Sequence, residues 1–124
     1  MANIPGIAAN TISQTAKSEK VTLLIDCHST KPHDIPGKNC IIYDPKNPKS
    51  FKLAFYINNN TKSPMIKVGN HSGVLSTECN RNNITSVICE VLSPHSKIQP
   101  GSDKLTYQYM IAFLNYAGVY SYDN

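Results

Sequence analysis

The 124-residue sequence lacks tryptophan, holds a single arginine, Arg81, among its 12 basic residues, and contains no long apolar run. Its longest uninterrupted apolar stretch, residues 110–114, is far too short to cross a bilayer as a helix. The N-terminus has neither the basic start nor the apolar block of a signal peptide. Because arginine supplies most of the bidentate contacts that read base edges, its scarcity argues against sequence-specific nucleic-acid binding.

Recognisable catalytic and cofactor motifs are also missing. The chain has no Gly-x-Ser-x-Gly, no phosphate-binding Gly-rich loop and no Cys-x-x-Cys pair. We therefore expect no enzymatic activity, no cofactor and no metal. Two alternatives stay open: a metal site formed by Cys27, His28, His33 and Cys40, and a small hydrolase or nuclease that uses His28, His33 and Asp34.

Four cysteines are present, and an even number in a short chain is typical of an oxidising compartment. Local pairing closes the shortest loops, so we predict the disulfides Cys27–Cys40 and Cys79–Cys89. Four free thiols in a reducing compartment are the alternative. The predicted disulfides favour an extracellular, cell-surface or periplasmic location.

Positive charge is concentrated in the middle of the chain. Between residues 31 and 67 there are seven lysines and two acids. Such a segment favours contact with an anionic glycan or lipid headgroup, although a solvated lysine-rich surface is the plainer interpretation. The residues predicted to bind an anion are Lys46, Lys49, Lys52, Lys62 and Lys67.

The apolar pattern predicts a single β domain, residues 20–124, preceded by an arm, residues 1–19. The predicted strands cover residues 21–25, 40–43, 51–58, 65–68, 74–79 and 85–92. Residues 105–116 alternate as a strand does, although the flanking Ser102 and Gly118 would also cap a helix. We therefore predict an all-β fold, an antiparallel β-sandwich (Ig-like or jelly-roll-like) or a small barrel, with an extended N-terminal arm.

The core of this predicted fold is the set of apolar residues that alternate within its strands. These are Leu23, Ile25, Leu53, Phe55, Ile57, Ile66, Val68, Val87 and Val91.

The arm and the C-terminal tyrosines favour a role in assembly. Three isolated isoleucines in residues 1–19 have no core of their own, and five of the seven tyrosines lie in the last eighteen residues. The predicted interface residues are Ile4, Ile7, Ile12, Tyr107, Tyr109, Tyr116 and Tyr120. We predict a non-enzymatic extracellular structural or adhesive subunit that joins copies of itself, or another protein, by strand addition. A secreted binding domain for an anionic glycan or lipid is the alternative.

Overall fold

The computed structural model describes residues 4–69, 75–93 and 101–119, without the side chains of Ile4 and Pro5. In chain order the elements are α1 (Ile4–Ser18), β1 (Leu23–Thr30), β2 (Cys40–Tyr43), α2 (Pro48–Thr61), β3 (Met65–Lys67), α3 (Leu75–Arg81), β4 (Thr85–Leu92) and α4 (Ser102–Tyr116). The strands form one mixed sheet with the order β1-β4-β2-β3. The predicted all-β fold, whether sandwich or barrel, is therefore wrong, because the chain is mixed α/β.

Two of the three strand pairings in the sheet are parallel. β1 runs parallel to β4 over eight residues, from Leu23 opposite Thr85 to Thr30 opposite Leu92. β2 is antiparallel to β4 and parallel to β3. Helix α2 connects β2 to β3, as a parallel pair requires.

Helix α2 occupies the segment predicted as a strand at residues 51–58. The Asn47 side chain caps it by accepting the N–H groups of Lys49 (3.0 Å) and Ser50 (3.2 Å), and Pro48 takes the first helical position. The residues buried along the helix have helical spacing: Ser50, Leu53, Ala54 and Ile57. Apolar residues at positions 51, 53, 55 and 57 have the alternating spacing of a strand, but Phe51 and Phe55 are about half exposed.

Some of the other predicted strands are confirmed, and others are helices. Strands at residues 40–43, 65–68 and 85–92 are confirmed as β2, β3 and β4, whereas residues 74–79 fall largely in helix α3. For residues 105–116 the helical alternative is right, with Tyr109, Ile111 and Ala112 buried along α4. None of the helices within the described residues is long and apolar enough to span a membrane.

The predicted extended arm is also wrong, because residues 4–18 form helix α1. Its buried side chains, Ala9, Ser13 and Ala16, are small and recur at helical spacing. They allow α1 to pack against α3. The larger Ile7 and Ile12 are about half exposed. Because its buried residues are small and only weakly apolar, the buried and exposed sides of α1 differ little in hydrophobicity. The sequence therefore gives only a weak indication of this helix.

The two faces of the sheet have different coverings. On the face that we call the helix-covered face, Val87, Cys89 and Val91 of β4 pack beneath α2 and α4. Leu53, Ile57, Val87 and Val91 confirm that part of the predicted core, whereas Phe55 is half exposed. The opposite face, which we call the polar face, carries Ser86, Ile88 and Glu90 of β4. A second apolar cluster lies on this face near the start of β4, where Ala16, Cys79 and Ile84 contact Leu24 and Leu75.

All four cysteines are free, so both predicted disulfides are wrong. Cys27 lies opposite Cys89 in register, on the helix-covered face, whereas Cys40 lies opposite Glu90 on the polar face. Cys27 and Cys40 are thus separated by strand β4 and point to opposite sides of the sheet. Cys79 packs in the cluster between α1 and α3, away from Cys89. The extracellular location loses its cysteine argument and stays a prediction.

Candidate functional site

A cleft opens where strands β2 and β4 separate. Their pairing ends at Ile42 and Ile88, and beyond it the side chain of Asn80 takes the place of a neighbouring strand. Asn80 accepts the Ser86 N–H at 2.9 Å and donates to the Ser86 carbonyl oxygen at 3.1 Å. The Ser50 hydroxyl donates to the same carbonyl at 2.8 Å. These bonds satisfy the unpaired strand backbone while leaving room between α2 and α3.

The same network joins the two helices that border the cleft. The Asn47 amide, which caps α2, donates to the Asn80 side-chain oxygen at 3.3 Å. Asn80 is buried in the last full turn of α3. The N-terminus of α2 and the C-terminus of α3 are therefore held at a fixed separation by two asparagines.

The cleft has a volume of about 1020 Å³ and a predominantly basic lining. Lys46, Lys49 and Lys52 approach it from the α2 side, and Arg81 from α3, while Asp44 is the only acid among its lining residues in the described part of the chain. It lies beyond the carboxyl ends of β2 and β3, where open α/β sheets commonly bind ligands.

The N-terminus of α2 adds the positive end of its dipole to this cleft. Its first amide groups are not free, because Asn47 already accepts the N–H groups of Lys49 and Ser50 through its side chain and that of Phe51 through its carbonyl. Attraction of an anion therefore depends on lysine side chains and on the dipole, not on open backbone donors.

Three of the five lysines predicted to bind an anion are brought together in the cleft. Lys67 ends β3, opposite Tyr43, and lies outside the cleft lining but at the same end of the sheet. Lys62 follows the C-terminal end of α2 with a φ of 64°. It therefore lies neither in the cleft lining nor at the cleft end of the sheet. Arg81, 3.1 Å from Glu78, was not predicted, because only the folding of α3 against the sheet brings it to the lysines.

A second polar cluster, around His28, lies on the polar face. His28 donates from Nε2 to Asp26 at 2.9 Å, and its Nδ1 lies 3.8 Å from Glu90 on β4. Alternation along β1 puts Asp26 and His28 on the same face, and register places His28 opposite Glu90. The Asp26–His28 spacing is visible in the sequence, but the parallel pairing that adds Glu90 is not.

The charges of this cluster are mutually dependent. The hydrogen bond to Asp26 raises the pKa of His28, and the nearby carboxylates of Asp26 and Glu90 act in the same direction against partial burial. Burial raises the pKa of Glu90, as does the Asp26 charge, while His28 opposes the shift. One oxygen of Glu90, Oε2, is buried without a hydrogen-bond partner in the described residues.

Among the described residues, the thiols and the hydroxyl next to His28 and Glu90 in the strands are not placed as nucleophiles. Cys27 and Ser29, the sequence neighbours of His28, alternate to the opposite face. Cys40 lies opposite Glu90, but it is fully buried, and burial raises its pKa to about 11, which keeps the thiol protonated at neutral pH. His33 and Asp34 are exposed in the β1–β2 loop and make no described contact with His28.

The proposed metal site from Cys27, His28, His33 and Cys40 is not assembled. Cys27 and His28 point to opposite faces of β1, and β4 separates them from Cys40. Across residues 4–69, 75–93 and 101–119, no group of three histidine, cysteine or acidic side chains is placed to hold a metal ion.

The predicted interface residues have different environments. Ile7 and Ile12 are exposed on α1, and Tyr107 is exposed on α4. The side chain of Ile4 and the whole of Tyr120 lie outside the described residues.

The other two interface tyrosines contribute to the fold instead. Tyr109 is fully buried: its hydroxyl donates to the Glu90 carbonyl oxygen at 3.0 Å and lies 2.8 Å from the Ser63 hydroxyl. Tyr116 packs against Tyr56 of α2, with ring centroids 5.4 Å apart. Tyr109 is therefore not available as a surface anchor.

Comparisons of the chain with protein-family models, with curated proteins and with solved structures find no match. Function is therefore inferred from the side chains themselves, and the basic cleft is the feature with the most defined chemistry.

Proposed function

We propose that this protein is a non-enzymatic binding protein that holds a polyanionic ligand in the cleft between α2 and α3. The observation that supports this function is the convergence of Lys46, Lys49, Lys52 and Arg81 on one cavity of about 1020 Å³. An anionic glycan or a lipid headgroup has the charge that this lining attracts.

The arrangement concentrates positive potential more than a dispersed lysine surface does. A concave site with walls of low dielectric focuses the field of its charges and raises the local concentration of counter-ions. Helix α2 contains no acidic residue, so its own side chains do not cancel Lys49 and Lys52. Lysine is a strongly hydrated point charge without a fork geometry, which suits an extended polyanion better than a single carboxylate.

One substitution in the cleft and one outside it test this function. Lys52→Glu reverses a charge in the cleft lining, and Lys62→Glu makes the same change in net charge at the far end of α2. We expect the first variant to elute from immobilised heparin at clearly lower salt than the unmodified protein, and the second to elute close to it. Equal elution of the two variants would show that only net charge matters and would overturn the cleft as the site.

A second candidate function is assembly by strand addition, and β1 is the observation that favours it. β1 lies at one end of the sheet, and within the described residues its eight residues pair with β4 alone. A long strand with an open edge can accept a strand from another chain. The test is light scattering over a wide range of protein concentrations; a mass that stays monomeric throughout contradicts this function and leaves the cleft unaffected.

A further inference from the structure

An aromatic row borders the basic cleft on the outer side of α2. Phe51 and Phe55 stack with their ring centroids 6.1 Å apart and an interplanar angle of 16°. Tyr43, at the end of β2, meets Phe51 edge-on, with centroids 5.4 Å apart and planes at 76°. The three rings thus form a continuous surface that begins at the sheet and follows one helical turn.

The two phenylalanines of this row remain open to solvent. Phe51 is 45% exposed and Phe55 is 50% exposed, although Leu53 and Ala54 between them are fully buried. A single exposed apolar side chain is ordinary on a protein surface, but two stacked rings side by side form a contiguous apolar patch. The core does not require them there, because its contacts are made from the other side of α2.

Lysines lie on both sides of the aromatic row. Lys52, which lines the cleft, is one helical turn from Phe55 and therefore adjacent to it on the helix surface. Lys67 lies opposite Tyr43 in the β2–β3 register, so both side chains leave the sheet on the same face. No acidic residue is present in α2 to offset these charges.

The combination of aromatic faces and flanking lysines points to one chemical class of ligand. We infer that the polyanion is single-stranded nucleic acid, whose bases stack on Phe51 and Phe55 while its phosphates contact Lys52 and Lys67. The inference rests on the proposed function, since it assigns the ligand of that same cleft. Base stacking on aromatic rings tolerates any sequence, which agrees with a chain that has one arginine for base-edge recognition.

The geometry favours this ligand over a membrane surface. A helix that lies in a bilayer interface inserts its apolar face, but the apolar face of α2 is buried against the sheet through Leu53, Ala54 and Ile57. The exposed rings are also packed against one another rather than free to insert separately. A glycan would use the lysines equally well, so heparin is included among the competing probes.

The experiment compares two probes of the same length and charge. Fluorescence anisotropy titrations use a labelled short oligo(dU) and an abasic oligodeoxynucleotide that retains the phosphates and lacks the bases. We expect the unmodified protein to bind oligo(dU) about tenfold or more tightly than the abasic strand. Phe55→Ala should clearly weaken oligo(dU) binding toward the abasic level without changing abasic binding, and Phe55→Trp should preserve the preference. Tyr107→Ala, an exposed aromatic on α4, is the matched control and should have no effect.

The possible results separate this inference from the proposed function. Equal binding of the two probes, with no effect of Phe55→Ala but loss of binding in Lys52→Glu, overturns the nucleic-acid assignment and supports the polyanion cleft. Tighter binding to heparin or to vesicles containing an anionic lipid than to oligo(dU), unaffected by Phe55→Ala, also overturns the assignment. Absence of binding to oligonucleotides, heparin and vesicles alike overturns both.

Discussion

The two faces of β4 differ in chemistry although their residues alternate along a single strand. On the helix-covered face, Val87, Cys89 and Val91 are apolar and lie beneath α2 and α4. On the polar face, the Glu90 carboxylate lies 3.8 Å from His28, while the buried Ser86 hydroxyl has no hydrogen-bond partner among the described residues. Burial is nearly complete on both faces, so exposure does not distinguish them. The difference indicates that one face stabilises the fold mainly through packing and the other holds polar groups in position.

Removing a large side chain from above the helix-covered face should have the largest effect on stability. Leu53→Ala deletes a fully buried side chain of α2 and leaves a cavity, so we expect the free energy of unfolding to fall by about 2–5 kcal/mol. Phe55→Ala, two residues later and half exposed, is the control and should cost clearly less. Urea unfolding followed by circular dichroism measures both. Equal losses would contradict the assignment of Leu53 to the core.

At the edge of β4 that borders the cleft, the corresponding test is the loss of Asn80. Asn80→Ala removes the side chain that pairs with both backbone groups of Ser86 and leaves its buried N–H without that acceptor, so we expect a loss of about 1–3 kcal/mol. Asn60→Ala is the control, because Asn60 donates only to the Tyr56 carbonyl in an exposed position. If the two variants unfold at the same urea concentration, Asn80 does not act as a substitute for a strand.

A smaller effect, specific to the polar face, is expected from pH. The raised pKa of His28 contributes stability below 6.5, the ordinary value, and this contribution is lost as the pH rises through the folded-state pKa. The raised pKa of Glu90 acts with the same sign, with stability highest below 4.5 and lost as its buried carboxyl ionises at higher pH. The free energy of unfolding should therefore fall as the pH rises through these two ranges. Because His28 is nearly half exposed, the fall should be modest.

Two variants assign the pH effect to its groups. Glu90→Gln should flatten the part of the curve that begins above 4.5, and His28→Asn the part that begins above 6.5. Chemical denaturation across the pH series is the measurement. If both variants show the same dependence of unfolding free energy on pH as the unmodified protein, other groups control it. The pH effect would then not distinguish the polar face from the helix-covered face.

The smallest effect on stability is expected at Cys27. This residue belongs to the helix-covered face by register but is exposed, so Cys27→Ser should leave the urea midpoint unchanged. In the native protein, iodoacetamide should label Cys27 far faster than the buried Cys40, Cys79 and Cys89. Intact mass before and after unfolding measures the labelling. A mass that corresponds to two disulfides would contradict the assignment of four free thiols.

The sequence predicts those elements whose pattern is local and unambiguous. The predicted limits of β4 agree with the structure, because residues 85–92 alternate and β-branched residues recur along them. The apolar pattern does not predict helix α2, because the exposed Phe51 and Phe55 alternate with the buried Leu53 and Ile57 as residues of a strand would. Asn47 and Pro48 carry a genuine helix-start signal, and greater weight on that signal would have identified the helix.

The candidate site shows the same limit. Lys46, Lys49 and Lys52 could be selected from the sequence because they are close together in it. Arg81 and Asn80 enter the cleft only through the placement of α3, and Glu90 reaches His28 only through the parallel register of β1 and β4. These contacts depend on the order of strands in the sheet, which local apolar patterns do not encode.

The central position of β4 has a consequence for the order in which the fold forms during synthesis. β1 pairs in the described sheet only with β4, which is separated from it in the chain by β2, α2, β3 and α3. As the chain leaves the ribosome, β1 must therefore wait for residues 85–92 before it gains its neighbour, whereas β2 and β3 can already pair around α2. Contacts between such distant segments slow folding, because a long loop must close before they form. β1 therefore stays without its partner strand while residues 31–84 are made, and β4 completes the described sheet by entering between segments made earlier.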